Sequence, residues 1–318
     1  MLRKKITIFI LFILFTILLS SCNGKIDLNN VKKLRIGFLA DSFGLNEPTF
    51  SKKICESLTE LNSSKKYRII YKESDLNKDY YTNIKELSEN CDIVLLGYLM
   101  NDEILMVSAE FPEKYFILID GIASDDNNKP VYRDNLTSII FNENEKAYLA
   151  GKAIGESLNK DENAGIICVG NKNDPNARFI IDSFKKGIEE YNKSIEIKYK
   201  FIENPNDSAV ALNLFNELAA EKCKIVYLCN GGYINSIIDN LKGPPPYIIC
   251  EEMSDLTDKK CVLGVIEKNY KIVLEKVLAE AEENKSKGGV KIFGIIDKAI
   301  SFKLSEKKII KNKFFISD

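Results

Sequence analysis

Among side chains that could do chemistry, histidine is missing and cysteine is plentiful: the 318 residues hold no His and eight Cys. Without imidazole, a histidine-bound metal or a His-dependent nucleophilic triad is excluded. There is no Walker-type phosphate loop and no CxxC pair, and scattered carboxylates alone do not define a catalyst, so an enzyme is disfavoured and no cofactor is implied. Cys22 stands near the N-terminus; Cys55, Cys91, Cys168, Cys223, Cys229, Cys250 and Cys261 form an odd set without a regular disulfide framework. Cys168, Cys229 and Cys250 lie in or at the ends of apolar strand-like runs, where a free thiol acts as a small hydrophobe, so buried thiols are expected. The 45 basic and 46 acidic side chains are interspersed, and nothing suggests nucleic acid as a partner.

The chemistry that remains is at Cys22. Arg3, Lys4 and Lys5 precede an apolar run from Ile6 to Leu19, broken only by Thr16. That is the layout of a secretory signal, and the run is too short to prefer a permanent span. It ends in Leu19-Ser20-Ser21-Cys22, which resembles the bacterial lipobox. The resemblance implies cleavage before Cys22, thioether lipidation of its sulfur and acylation of the new amino group. One acyl chain holds only marginally, at about 0.8 kcal/mol per buried methylene, whereas two or three give stable attachment. Residues 1–21 thus read as a signal peptide and 22–32 as a polar tether. The expected location is the cell envelope, outside the cytoplasm, anchored to a membrane by lipid.

The rest of the chain must position any binding site. Arg35–Ala40, Tyr67–Tyr71, Asp92–Gly97 and Tyr115–Asp120 are short apolar runs, as in strands buried on both faces. Phe50–Leu61, Lys78–Asn90 and Asp102–Glu110 between them have helical spacing. A second set begins with a strand at Leu136–Phe141 and a helix at Glu143–Leu158. It continues with strands at Ala164–Val169, Glu196–Phe201, Lys224–Cys229, Tyr247–Cys250 and Val262–Ile266, and helices at Phe179–Tyr191, Ser208–Ala220 and Tyr233–Leu241. A late helix, Tyr270–Asn284, precedes strand-like runs at Val290–Ile295 and Ala299–Leu304. The β-α alternation predicts an α/β protein of two lobes, each a doubly wound parallel sheet flanked by helices, with a cleft between them. The expected division is 33–136 with 267–286 for one lobe and 137–266 with 287–318 for the other.

In order and spacing these residues resemble the basic membrane protein (BMP) family of lipoproteins. Phe111-Pro112-Glu113-Lys114-Tyr115-Phe116-Ile117-Leu118-Ile119-Asp120 is similar to that family's NPDxKFAIID. Asn135 to Phe141, with Glu145 and Tyr148-Leu149-Ala150-Gly151, is similar to NVASxxFxxQEGxFLAGY. Asp182, Phe184 and Gly187 fit DxFxxG, and Tyr247-Ile248-Ile249-Cys250-Glu251-Glu252 resembles YIIGVD. The loop from Asp41 to Ser51 matches at Asp41 and Phe50 and departs at Asn46, Glu47, Pro48 and Ser51.

The resemblance implies a type I periplasmic-binding-protein fold and a substrate-binding lipoprotein of an ABC-type uptake system. Its partners would be a nucleoside, purine by preference, and a membrane permease. Phe50 would then stack on the base beside Asp41, Asp120 would meet the base edge, and Gly231 and Gly232 would let backbone approach the ligand. Glu252, or Glu251 if the register slips by one, would hold the ribose, with Lys268 as its cationic contact. A second stacking aromatic is displaced, because Phe201 lies about two residues from the matching position. These candidates stand at strand ends, where open α/β sheets bind ligands. The alternative is a diverged surface antigen or adhesin that keeps the scaffold and binds no small molecule.

Overall fold

The computed structural model describes residues 33–41, 44–45, 50–74, 80–229, 231–241, 246–251, 259–283 and 287–305. Residues 1–32, where a signal peptide, a tether and lipidation of Cys22 are expected, and Glu252 lie outside the described residues. Among those described, no helix is long and apolar enough to cross a membrane.

From Leu34 onward the described residues form two six-stranded sheets. The first has the order β11-β5-β4-β3-β1-β2, built from β1 (Arg35–Ala40), β2 (Arg68–Glu73), β3 (Ile93–Gly97), β4 (Tyr115–Ile119), β5 (Leu136–Phe141) and β11 (Gly289–Phe293). All its pairings are parallel. The second has the order β12-β10-β9-β8-β6-β7, from β6 (Asn163–Val169), β7 (Glu196–Ile202), β8 (Cys223–Leu228), β9 (Tyr247–Glu251), β10 (Val262–Lys268) and β12 (Ile300–Leu304). It is parallel except for β12, which runs against β10. The helices are α1 (Phe50–Leu61), α2 (Tyr80–Asn90), α3 (Asn101–Glu110), α4 (Glu143–Ser157), α5 (Pro175–Glu189), α6 (Ser208–Ala220), α7 (Ile234–Asn240) and α8 (Tyr270–Glu282). Central strands such as β3 are buried along their whole length, as their unbroken apolar runs require.

The sheets divide the chain at other points than the expected boundaries at 136/137 and 286/287. β5 hydrogen-bonds to β4 on one side and to β11 on the other, so residues 137–141 and 289–293 belong to the first sheet. The chain therefore crosses between the sheets after β5, after β10, and again between β11 and β12. Glu145 on α4 secures the last crossing by accepting a hydrogen bond from the Ile295 amide at 2.6 Å.

Four helix starts follow local capping. Asn142, Asp207 and Asn269 accept hydrogen bonds from amides of the first turns of α4, α6 and α8. α5 begins at Pro175, four residues before the apolar periodicity predicts, because Asp174 caps it and a proline at the first helical position costs no hydrogen bond. The seven described cysteines are free thiols, and Cys168, Cys229 and Cys250 are buried in the sheet cores.

Two contacts hold the frame. Arg35 and Asp92 form a two-pronged ion pair (2.7 and 3.1 Å), and the same carboxylate accepts the Arg35 amide, clamping the start of β1 to β3. The guanidinium holds the Asp92 carboxyl down at about 2. α4 and α5 cross so closely that a Cβ on Gly151 would lie 2.1 Å from the Phe184 carbonyl oxygen, and one on Gly187 would lie 2.2 Å from that of Tyr148. Gly187→Val should lower stability by about 1–3 kcal/mol or more, read from the urea midpoint, since backbone on both sides must move. Asp92→Asn should lower stability at neutral pH. Because the folded pKa is depressed, this contribution is present above the ordinary carboxylate range and is lost as pH falls towards about 2, so wild type and variant should converge in acid.

Candidate functional site

The carboxyl ends of both sheets face one cleft of about 600 Å³. From the first sheet it is lined by Tyr98 after β3, Asp120 after β4, and Ile140 and Phe141 at the end of β5. From the second come Pro205 and Asn206 after β7, Gly231 and Gly232 after β8, Glu251 ending β9, and Ile266 and Lys268 ending β10. Glu143, in the first turn of α4, completes the wall. This is the strand-end location that the fold predicts for a ligand.

Asp120 has a left-handed backbone (φ 63°), a conformation that aspartate tolerates better than most side chains. The turn leaves its carboxylate between two side chains of the β10–α8 segment. The Lys268 ammonium donates to Oδ1 at 2.9 Å and the Tyr270 hydroxyl to Oδ2 at 2.7 Å. Asn269 caps α8 between them, so consecutive residues supply an ammonium, a helix cap and a phenol. Lys268 also stands over the Phe141 ring, 5.2 Å from its centroid. Burial works against the Lys268 charge, but Asp120, Glu143 and Glu251 outweigh it and hold its pKa above the usual lysine range.

The second charged group was not foreseen. Lys146, one turn into α4, has no exposed surface, and its ammonium bridges Glu143 Oε2 and Glu251 Oε2, both at 2.6 Å. Glu251 also accepts from the Tyr227 hydroxyl at 2.9 Å and touches the Cys229 thiol at 3.8 Å. Desolvation opposes the Lys146 charge and the Lys268 charge adds to that, but Glu251 and Glu143 prevail and its pKa is raised. Glu143 is pushed up too, by burial first and then by the Glu251 charge, against the pull of Lys146.

The structure brings Asp120, Gly231, Gly232 and Lys268 together on the cleft. Asp41 and Phe50 are not among the residues that line it. Asp41 is buried at the end of β1, where its amide bonds to Ser51 Oγ at 3.1 Å. Phe50 packs edge-on to Tyr270 at 5.8 Å, and its ring closes over Gly97, where an added Cβ would come within 2.7 Å. A glycine there leaves space for the ring against β3, so Phe50 supports Tyr270 and does not line the cleft. Among the described residues that line the cleft, Phe141 is buried, whereas Tyr98 is an exposed aromatic, at 53 %. Desolvation and the Asp41 and Asp120 charges raise its phenol pKa.

Gly231 and Gly232 have packing reasons of their own. A Cβ on Gly231 would strike the Tyr233 ring at 2.0 Å, and one on Gly232 would strike Asn206 Oδ1 at 2.7 Å. Tyr233 folds back over β8 and donates to the Cys229 carbonyl at 2.7 Å. Phe201 pairs edge-on with Tyr199 on β7 and faces a separate surface groove, so no aromatic from that segment reaches the cleft. Glu143, Lys146, Tyr98 and Phe141 are the site residues that sequence reasoning missed. Asn142 followed by a charged first turn, directly after a strand end, was the available signal for the first two.

Comparison with known proteins agrees with this architecture. The family model for Bmp, ABC transporter substrate-binding protein PnrA-like, matches residues 33–316. The chain is 29 % identical over 295 residues to basic membrane protein B of Borreliella afzelii (strain PKo), covering 88 % of this chain and 82 % of that protein. It is 24 % identical over 252 residues to the ABC transporter nucleoside-binding protein BmpA of Lactococcus lactis subsp. cremoris, covering 77 % and 66 %. Among solved structures, a transcriptional activator of the comK gene from Bacillus halodurans superposes with a TM-score of 0.68 at 19 % identity, over 86 % of this chain and 92 % of that one. A solute-binding protein of an ABC transporter system from Aeropyrum pernix K1 gives 0.62 at 16 % identity, over 85 % and 76 %, so the shared fold is that of periplasmic binding proteins. With nearly all of the chain from Lys33 onward matched, and its cleft at the strand ends of two sheets, the protein belongs to the Bmp family of PnrA-like ABC transporter substrate-binding proteins.

Proposed function

We propose that this protein binds a nucleoside, purine by preference, in the cleft between its sheets and delivers it to an ABC permease while tethered to a membrane by lipid on Cys22. The observation that carries the ligand is the composition of the cleft. One half-exposed aromatic, Tyr98, and a fixed carboxylate, Asp120, paired to Lys268, line the cleft together with the carboxylates of Glu143 and Glu251. A flat base stacks on an aromatic face for about 1–3 kcal/mol, and sugar hydroxyls donate well to carboxylates. The Lactococcus relative is named for nucleoside binding, which supports the same class here. The lipid anchor rests on the Leu19-Ser20-Ser21-Cys22 sequence and its basic and apolar approach.

A second reading is favoured by one feature of the same site. Asp120, Lys268, Lys146 and Glu251 are all paired with one another or with tyrosines, so the cleft is electrostatically satisfied without a guest. A diverged surface protein that keeps the scaffold and binds nothing would have this property. Mass spectrometry of the denatured, untreated protein separates the two, since a co-purified nucleoside supports the receptor.

In calorimetry on protein stripped of co-purified ligand, inosine, guanosine or adenosine should bind and uridine should bind more weakly. Silence from all four at high micromolar concentration overturns the proposal. Asp120→Asn keeps a side chain that tolerates the left-handed turn but removes the charge, and should weaken purine binding about tenfold or more. Cys22→Ser should abolish incorporation of labelled palmitate and release the protein from the membrane fraction; labelling that persists would place the anchor elsewhere.

A further inference from the structure

We propose that the outer edge of β7, with the groove between it and α5, is a docking surface that takes an extended acidic segment of a partner protein as an added strand. The inference does not rest on the nucleoside reading, because the groove shares no lining residue with the cleft.

The backbone supplies half of the site. β7 is the last strand of its sheet and pairs with β6 on one side only. The Ile202 carbonyl accepts from the Gly170 amide at 2.9 Å, so Ile202 turns its backbone groups towards β6. Along a parallel ladder these groups alternate in direction, so the amides and carbonyls of Ile197, Tyr199 and Phe201 point away from β6. Among the described residues no strand covers them. Side chains alternate with the same period, so these three share a face, and they line a groove of about 620 Å³. Tyr199 is 55 % exposed and meets the Phe201 ring edge-on at 5.8 Å. An open edge with apolar side chains is a template for one more strand.

Charge selects which strand. Lysines on an edge ordinarily repel an incoming chain, but Lys198 and Lys200 project from the opposite face of β7 and are paired with Glu196, Glu217 and Glu221. On the groove side the balance is reversed. Lys172, Arg178, Lys185 and Lys193 line it against only Asp182 and Glu189. Glu189 is paired with Lys185 at 3.6 Å, and among the described residues no ion pair engages Lys172 or Lys193. Arg178 Nε donates to the Lys172 carbonyl at 2.7 Å, which holds the guanidinium against the segment that carries Lys172. A second copy would bring the same cations to the same edge. Residues 306–318 carry Lys307, Lys308, Lys311 and Lys313, so they do not complement the groove either. A strand that alternates acidic and apolar side chains does: its backbone continues the ladder and its carboxylates reach the cations.

The test uses a fluorescein-labelled synthetic peptide of alternating glutamate and valine, about seven residues long, added to the whole protein in detergent and read by fluorescence anisotropy. The peptide should bind, and raising the salt from roughly 0.05 to 0.5 M should weaken it about tenfold. Its N-methylated counterpart, which keeps the charge and loses the ladder donors, should bind at least about tenfold more weakly, and a lysine–valine peptide should not bind. Lys172→Glu with Lys193→Glu, both exposed positions, should weaken the acidic peptide about tenfold or more while leaving the urea midpoint unchanged. No binding of the acidic peptide at about millimolar concentration would overturn the inference. Equal binding of the N-methylated peptide would overturn it too, since a purely electrostatic contact needs no ladder. So would an affinity unchanged in the double variant, which puts the peptide elsewhere. A dimer seen in sedimentation and lost in the double variant would make a second copy the occupant, and the acidic partner would be wrong.

Discussion

Lys146 has no exposed surface, and an ammonium out of contact with water is tolerable only where carboxylates surround it closely enough to repay its lost hydration. That requirement draws Glu143 and Glu251 inward, and Tyr227 then completes the coordination of Glu251. Lys268 obeys the same rule against Asp120, whose other oxygen accepts from the Tyr270 hydroxyl. The cleft floor is thus two cations held among three carboxylates. Its polarity comes from balancing buried charge, and its form depends on the strand ends that deliver each partner.

Those deliveries come from the backbone. Parallel strands place all their carboxyl ends on one edge, so two such sheets facing each other bring seven described chain segments to one space. Short turns then fix the side chains within it. Asp120 is aimed by a left-handed residue, Lys268 and Tyr270 flank a capping asparagine, and Glu143 and Lys146 share the first turns of α4. The close glycine crossing of α4 on α5 holds that helix at a definite depth, so a packing feature remote from the cleft determines where the Lys146 ammonium lies.

Most of this frame was legible in the order of residues. Unbroken apolar runs and helical periodicities placed nearly every strand and helix to within a few positions, because buried parallel strands and amphipathic helices have distinct repeats. Strand partners leave no comparable trace. β5 and β11 carry no residue that announces which sheet they join, so the lobe boundaries were misplaced by the length of one strand. At the site, Asp120, Gly231, Gly232 and Lys268 lie on the cleft, as residues at strand ends can be expected to. The direction of the Phe50 ring was not legible, because it depends on the space above Gly97, two strands away in sequence. Lys146 was invisible for a related reason: a lysine on a helix reads as solvated until the residues facing it are known, and Glu251 stands 105 positions later.

A cleft whose cations are already paired to carboxylates sets a condition on any guest. Separating Lys268 from Asp120 would leave two buried charges each short of a partner, a cost of several kcal/mol that a weakly polar molecule could not repay. A ligand that instead adds hydroxyl donors to carboxylates that keep their ammonium ions avoids the cost, since each oxygen has more than one acceptor site. The paired state then serves as preorganisation: the acceptors are held in place before the guest arrives, and little side-chain freedom is lost on binding. On this physical ground a neutral, hydroxyl-rich molecule with one flat face suits the cleft better than an anion, which the three carboxylates would repel, or a hydrocarbon, which would leave them desolvated without gain.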